Sequence, residues 1–384
     1  MHSGVRVCFP KVLAMSAKKI TAVFFMLFLL WAGINACFSV PSALNVSAIS
    51  GANALTSWIN GKDTSAFETR FTKDLPFYET AVRLWSVARF YLFGEGGPKI
   101  VVGPNNVLFT QEEFVYDRNT RLQMRKNLAE IFEVKKKLRL HGSRLYIVLI
   151  PAKAHLYADM AEELNFSDSH YPEVKLDMYQ DIINFLVDHR IDFLDGAQAF
   201  ELHSNPASLY LRRDTHWSPE GAAYIAGLVA DDIDKDYIKP SVSYQTQRGD
   251  VKRHEGDLLK YLPIGDMRAS SGYTSEDIFT YETKRTDENV SEDSLFGDQA
   301  FDVVLVGTSY SANPLWHFEG FLKQDLSTDV LNVADEGLGP FKTMENYLAS
   351  DQYASSAPKL VIWEMPERYF FMKEPELRQE EDVK

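Results

Sequence analysis

Val303-Val304-Leu305-Val306-Gly307-Thr308-Ser309-Tyr310-Ser311 reads as a buried strand that runs straight into a turn carrying a serine. Four consecutive apolar residues leave no polar face, so the strand at 303–306 is predicted to be covered on both sides. Leu145-Tyr146-Ile147-Val148-Leu149-Ile150, ended by Pro151, has the same character, as do Val330-Leu331-Asn332-Val333 and Leu360-Val361-Ile362-Trp363. Between them lie helical patterns. Residues 120–140 place Met124, Leu128, Ile131 and Leu138 on one face. Residues 173–188 form another helix, followed by a short strand at 191–194. Ser218 and Pro219 open a third, with serine at the N-cap and proline at the first helical position. Apolar strands alternating with helices predict an α/β fold with a mostly parallel sheet between helical layers. In such folds the functional site lies at the carboxyl ends of the strands.

The flanks are of another kind. Residues 1–19 carry Arg6, Lys11, Lys18 and Lys19 and no acid, and Ile20–Phe38 then runs without a charge. That length approaches the ~20 residues that span a bilayer core. It exceeds the ~7–15 apolar residues usual in a cleaved signal peptide. Residues 20–38 are therefore predicted to be an uncleaved transmembrane anchor. Lys18 and Lys19 on its leading flank keep residues 1–19 in the cytoplasm and place the body outside it. A loose lipobox, Ile34-Asn35-Ala36-Cys37, is the competing reading, and it too leaves the body tethered to a membrane. Residues 39–65 are small and polar and read as a tether, 66–95 as helix, Gly103-Pro104-Asn105-Asn106 as a turn and 265–300 as an irregular excursion. The main domain is expected over 66–372, with an acidic tail at 373–384.

Net charge and cysteines narrow the chemistry. The formal charge is −14, and setting aside the four N-terminal cations leaves the rest more negative still. So acidic a body argues against nucleic acid and against broad-surface binding of a polyanionic polymer. The two cysteines, Cys8 and Cys37, both precede the body. A thiol nucleophile, a disulfide and a thiolate metal site are thereby excluded from it.

Ser309 at a strand-to-helix turn sits beside free backbone N–H groups and the positive end of a helix dipole, a setting that suits a nucleophile. A plain N-cap serine has the same local sequence. Asp214 and His216, in Arg213-Asp214-Thr215-His216-Trp217, are two apart, and in extended chain they project to one side. The carboxylate can then hold Nδ1–H while Nε2 takes a proton from serine. Two such groups are too few for a metal site, and His155, His203 and His317, with no acid at useful spacing, read as structural.

Together these segments resemble the alginate O-acetyltransferase family of the AlgJ and AlgX type. The likeness rests on Asp214-Thr215-His216-Trp217 before a helix and Gly307-Thr308-Ser309 after a strand. It extends to LFGEGGPKIVVGPNNVLFTQEEF at 92–114, Pro151-Ala152-Lys153-Ala154-His155-Leu156-Tyr157 and Trp363-Glu364-Met365-Pro366-Glu367-Arg368, in family order over roughly 55–370. Pro104-Asn105-Asn106-Val107 departs from an Asp-Gly-Trp run usual there. The resemblance implies an SGNH-hydrolase-like α/β/α sandwich with Ser309, His216 and Asp214 as the triad and no metal or other cofactor. The backbone N–H of Tyr310 is the first candidate oxyanion donor, Gly337 and Gly339 supply further candidates, and Arg368 braces the site. It also implies acetyl transfer through an acyl-serine to an exopolysaccharide, alginate foremost, in the periplasm at the inner membrane. Its partners would be a membrane-bound O-acyltransferase as donor, other exopolysaccharide acetylation and secretion proteins, and the polysaccharide acceptor. A carbohydrate acetylesterase using water, and a non-catalytic scaffold of a secretion complex, are the alternatives.

Overall fold

The computed structural model describes residues 17–47, 61–75, 78–117, 119–160, 173–286 and 301–373. The chain divides into two compact units, Met1–Arg89 and Phe90–Lys384.

In the first unit, α1 (Ala17–Ser47) contains an 18-residue apolar window, Thr21–Phe38, long and apolar enough to cross a membrane and with none of it buried. The helix continues past the apolar run, so residues 39–47, the start of the expected tether, are helical. The stretch expected as one helix at 66–95 is two, α2 (Lys62–Lys73) and α3 (Tyr78–Phe93). The first begins inside the expected tether and ends shortly before Pro76, which restricts the residue preceding it. The second unit starts at Phe90, later than the boundary expected at 66. Residues 1–16, 48–60 and the acidic tail beyond Lys373 lie outside the described residues.

In the second unit, β1 (Ile100–Val102) and β2 (Leu108–Thr110) form an antiparallel pair around the expected turn. Asn105 and Asn106 take left-handed φ of 53° and 59° there, a conformation asparagine tolerates better than most residues. The main sheet holds β3 (Arg144–Ile150), β4 (Asp192–Asp195), which leads into the short helix α6 (Gly196–Leu202), β7 (Val303–Val306), β8 (Val330–Asn332) and β9 (Leu360–Pro366) in the order β4-β3-β9-β7-β8, every pairing parallel.

Alternation along these strands fills two cores. Tyr146, Val148, Ile150, Val303, Leu305, Leu360 and Ile362 face one layer, where α7 (Pro219–Asp232) brings Ile225, Ala226 and Val229 and α9 (Phe318–Leu326) brings Phe321 and Leu322. Leu145, Ile147, Leu149, Val304, Val306, Val361, Trp363 and Met365 face the other, against α4 (Thr120–Leu140), α5 (Glu173–Asp188) and α10 (Gly339–Leu348). Each large apolar side chain buried this way contributes about 1.5–3 kcal/mol.

One expectation fails in this unit. Residues 276–285 are not irregular but form β6 (Glu276–Arg285), antiparallel to β5 (Tyr244–His254), with a bulge between Arg248 and Val251. Most side chains of β5 are exposed, so neither an apolar run nor a clean alternation marks it.

Candidate active site

Residues 209–218 fold back on themselves as an arm. Tyr210 bridges Trp217, Leu211 N–H donates to the His216 carbonyl at 3.2 Å, and Ser218 N–H donates to that of Leu209 at 2.9 Å. Asp214 sits near the bend and is buried. Beneath the bend lies Lys153, 1% exposed, just past the end of β3. Its ammonium donates to the carbonyls of Leu211, Arg212 and Asp214 at 2.9, 3.2 and 2.7 Å. Burial pulls the Lys153 pKa down to about 8. A cation turned onto three carbonyl oxygens holds a bend that would otherwise leave buried acceptors unmet.

Ser309 begins α8 (Ser309–Ala312), capped by Thr308. Under this turn is Glu364, fully buried in the central strand. Its carboxylate accepts from the Thr308 N–H at 2.7 Å, the Thr308 hydroxyl at 3.1 Å and the Ser311 hydroxyl at 3.0 Å. Burial pushes the Glu364 pKa up to about 7. Gly307 is required here, since a Cβ would come within 2.5 Å of Glu364 Oε2.

Three links join the turn to the arm. The Tyr310 hydroxyl donates to the Thr215 carbonyl, the Trp217 indole donates to the Tyr310 carbonyl at 3.1 Å, and Ser309 Oγ lies 2.7 Å from His216 Nε2. The imidazole stacks on Trp316 at 5.2 Å, and its Nδ1 is 2.6 Å from Asp214 Oδ1, which also accepts the His216 backbone N–H at 2.9 Å. Ser309, His216 and Asp214, picked out in the sequence, are thus brought into one hydrogen-bonded chain across 93 residues.

The carboxylate of Asp214 has more partners than the sequence alone suggests. Its Oδ2 accepts from His254 Nε2 at 2.7 Å and from the Asp257 N–H at 3.0 Å. Burial alone would raise its pKa, but hydrogen bonds from His216 and His254 outweigh that and hold it well below the usual carboxylate range. Asp257 in turn accepts the Thr215 N–H at 2.8 Å and its hydroxyl at 2.6 Å. The segment 254–257 comes this close because Gly256 has no side chain; a Cβ would stand 2.1 Å from the Arg213 carbonyl. Asp214, His216 and Asp257 have ligand atoms within 4.8 Å of one another. Nδ1 of His216 must keep its proton to bond Asp214, which leaves it no lone pair for a metal.

The other expected residues fall as follows. The Tyr310 N–H is turned to the Thr308 hydroxyl at 3.3 Å, so it is not an open donor, whereas the Ser309 N–H meets no acceptor among the described residues. Gly337 and Gly339, with left-handed φ of 86° and 72°, flank the start of α10, and the loop before them touches the serine turn through Asp335 N–H on the Gly307 carbonyl at 3.3 Å. Arg368 lies 5.9 Å from the Tyr310 ring and 3.6 Å from Glu112. His155 faces Glu367, His203 accepts from the Asn205 N–H, and His317 meets Thr283. Two signals for the missed residues are in the sequence. Glu364 is an acid inside a buried apolar run, and Lys153 is a cation at the end of one.

This architecture, with a serine on the turn after an inner strand of a parallel sheet, is that of the SGNH-hydrolase-like proteins. The chain belongs to the family described as SGNH hydrolase-like domain, acetyltransferase AlgX, whose pattern matches residues 100–367. It is 34% identical to the probable alginate O-acetylase AlgJ of Pseudomonas putida, over 82% of this chain and 81% of that one. The AlgJ protein of Pseudomonas aeruginosa is also 34% identical, over 84% and 83%. The solved O-acetyltransferase domain of Pseudomonas putida AlgJ superposes with a TM-score of 0.62 at 33% identity, covering 72% of this chain and 94% of that one. Pseudomonas aeruginosa AlgX shares the fold, with a TM-score of 0.53 at 22% identity over 73% of this chain and 67% of that one.

Proposed function

We propose that this chain is an O-acetyltransferase that carries acetyl on Ser309 and passes it to hydroxyl groups of an exopolysaccharide, alginate by likeness to the AlgJ proteins. The observation that carries this reading is the unbroken chain Ser309 Oγ–His216–Asp214, at 2.7 and 2.6 Å.

Chemistry follows from the protonation states. With Asp214 ionised and Nδ1 protonated, Nε2 presents its lone pair to the Ser309 hydroxyl. As Oγ attacks the donor's acetyl carbonyl, its proton passes to Nε2 and a tetrahedral oxyanion forms. The free Ser309 N–H, at the positive end of a short helix, is the best-placed backbone donor to it. Collapse expels the donor's leaving group, which takes the proton from Nε2, and acetyl-serine remains. A sugar hydroxyl then gives its proton to Nε2 and attacks the ester. The second collapse returns the proton to Oγ and frees the acetylated sugar.

The apolar helix α1 would tether this domain to the inner membrane with its body in the periplasm. A membrane-bound O-acyltransferase there would supply acetyl, alongside other exopolysaccharide acetylation and secretion proteins. The decisive experiment supplies the full chain in detergent with an activated acetyl ester and a mannuronate oligomer and follows acetylated sugar by mass spectrometry. Acetylated oligomer that vanishes in Ser309→Ala supports the reading, and acetate release with no acetylated sugar turns it into that of an esterase.

A further inference from the structure

Two imidazoles grip one carboxylate. His216 takes Oδ1 of Asp214 and His254 takes Oδ2, at 2.6 and 2.7 Å. His254 closes β5, where Glu276 is its pairing partner across the hairpin. Its ring meets that of Trp316 edge-on at 5.4 Å, and Trp316 is also the ring on which His216 stacks. One indole therefore sets the plane of both imidazoles. With only a small part of its side chain exposed, His254 is far from a freely rotating surface histidine.

We propose that His254 is a positioning residue for the acyl-transfer reaction: it fixes the rotamer of Asp214, and its charge tunes how strongly His216 holds a proton. This role rests on the assignment of Ser309, His216 and Asp214 given above.

The first half follows from geometry. A carboxylate anchored on Oδ1 alone can swing about its Cβ–Cγ bond, and His216 would swing with it. The bond from His254 closes off that freedom, helped by the Asp257 N–H at 3.0 Å. The second half follows from charge. The hydrogen bond to Asp214 raises the pKa of His254, with the charges of Asp214, Asp257 and Glu276 adding to it and burial opposing. Arg253 and Glu255 flank His254 in the chain, Glu255 paired with Arg268 at 2.9 Å, and Arg213 lies 3.9 Å from Glu276. Protonated His254 offsets the negative charge that Asp214 presents to His216. A cation on the far oxygen makes His216 less basic, and removing it makes His216 more basic.

The test compares His254→Ala and His254→Gln with wild type in the full chain, reading kcat and KM for an activated acetyl ester from pH 5 to 9. Far-UV circular dichroism and thermal unfolding certify the fold. Glutamine keeps an N–H for Asp214 but never carries charge, whereas alanine keeps neither. The expected result is a loss in kcat on the order of 10²-fold for alanine, with KM little changed, as for a misplaced catalytic group. Glutamine should restore most of that loss and shift the acid limb of the kcat profile upward by about one pH unit. Alanine and glutamine falling together with no shift of the limb would reduce His254 to a packing residue. Both variants matching wild type would remove it from the reaction. Ser309→Ala, run in parallel, separates the role of His254 from that of the triad. If it keeps turnover, the assignment of the nucleophile fails; if it is dead while both His254 variants behave as wild type, only the positioning role fails.

Discussion

Lys153 and Asp214, 61 residues apart in the chain, are joined through the main chain and not as an ion pair: the ammonium donates to the Asp214 carbonyl at 2.7 Å, while the carboxylate turns away to two imidazoles. A cation is thereby placed under the acid-bearing arm without taking the carboxylate's hydrogen bonds.

Lys153→Met should leave the buried Leu211 and Asp214 carbonyls without their donor, while the Arg212 carbonyl keeps the Leu108 N–H. Unmet buried acceptors of this kind make the expected loss of stability about 3 kcal/mol. Turnover should fall on the order of 10²-fold even where the variant is folded, because the arm loosens. Urea unfolding and turnover at a permissive temperature measure the two effects, and a wild-type value for either would mean that the arm holds its shape without the lysine.

Ser309→Ala, His216→Ala and Asp214→Asn should each lower turnover by several powers of ten, and combining them should add little more, as expected of groups that act as a unit. Single and multiple variants assayed with an activated ester give the comparison. Additive losses would mean that the three act independently.

Glu364 leads to a pH effect on stability. Its folded pKa is raised from 4.5 to about 7, so the folded state binds a proton that the unfolded state has already released between those values. Its contribution therefore weakens stability as pH rises from 4.5 to 7 and is constant above, by up to about 3 kcal/mol. Glu364→Gln should remove that part of the slope, seen as a difference between wild-type and variant unfolding curves across this window. Parallel curves would show that the carboxyl stays ionised throughout.

Topology is testable directly. An alkaline phosphatase fused after Lys384 should be active in cells, and the chain should fractionate with membranes until detergent is added. Quantitative recovery in the soluble periplasmic fraction would rule out α1 as a retained anchor.

A net charge of −14 sets an expectation for the polymer. Titration of the full chain in detergent with mannuronate oligomers should give dissociation constants no tighter than millimolar, about −4 kcal/mol, and weaker still at low salt. The protein would then work as an acetyl relay, with the polymer presented by a partner. Micromolar binding would instead point to direct modification by this chain alone.

Strands buried on both faces were legible because a short, continuous apolar run ended by a turn residue has no polar side to turn toward water, and all four long runs are strands of the main sheet. Ser309, His216 and Asp214 were only half legible: a plain N-cap serine has the same local sequence as Ser309, and it was the resemblance to the acetyltransferase family that put the three together. The β5–β6 hairpin was not, because a ribbon with most residues exposed on both faces has no periodic signature. His254 was lost with it: a histidine on a polar strand acquires meaning only from what lies opposite. Residues 66–95 look like one helix in the sequence because apolar residues recur across Pro76, yet one helix ends at Lys73 before that proline and the next begins at Tyr78 after it.

The strand that carries Glu364 lies at the centre of the sheet and is the last of its five strands in chain order. Until residues 360–366 emerge, β3 with β4 and β7 with β8 have no edge in common, and the serine turn lacks the carboxylate that clamps Thr308. Closing so distant a pairing is slow, and it comes late in the life of the nascent chain. Acyl-transfer capacity would therefore switch on in a single step, once Leu360–Pro366 has been made. A nascent chain that has not yet released residues 360–366 would be chemically silent toward any acetyl ester it meets.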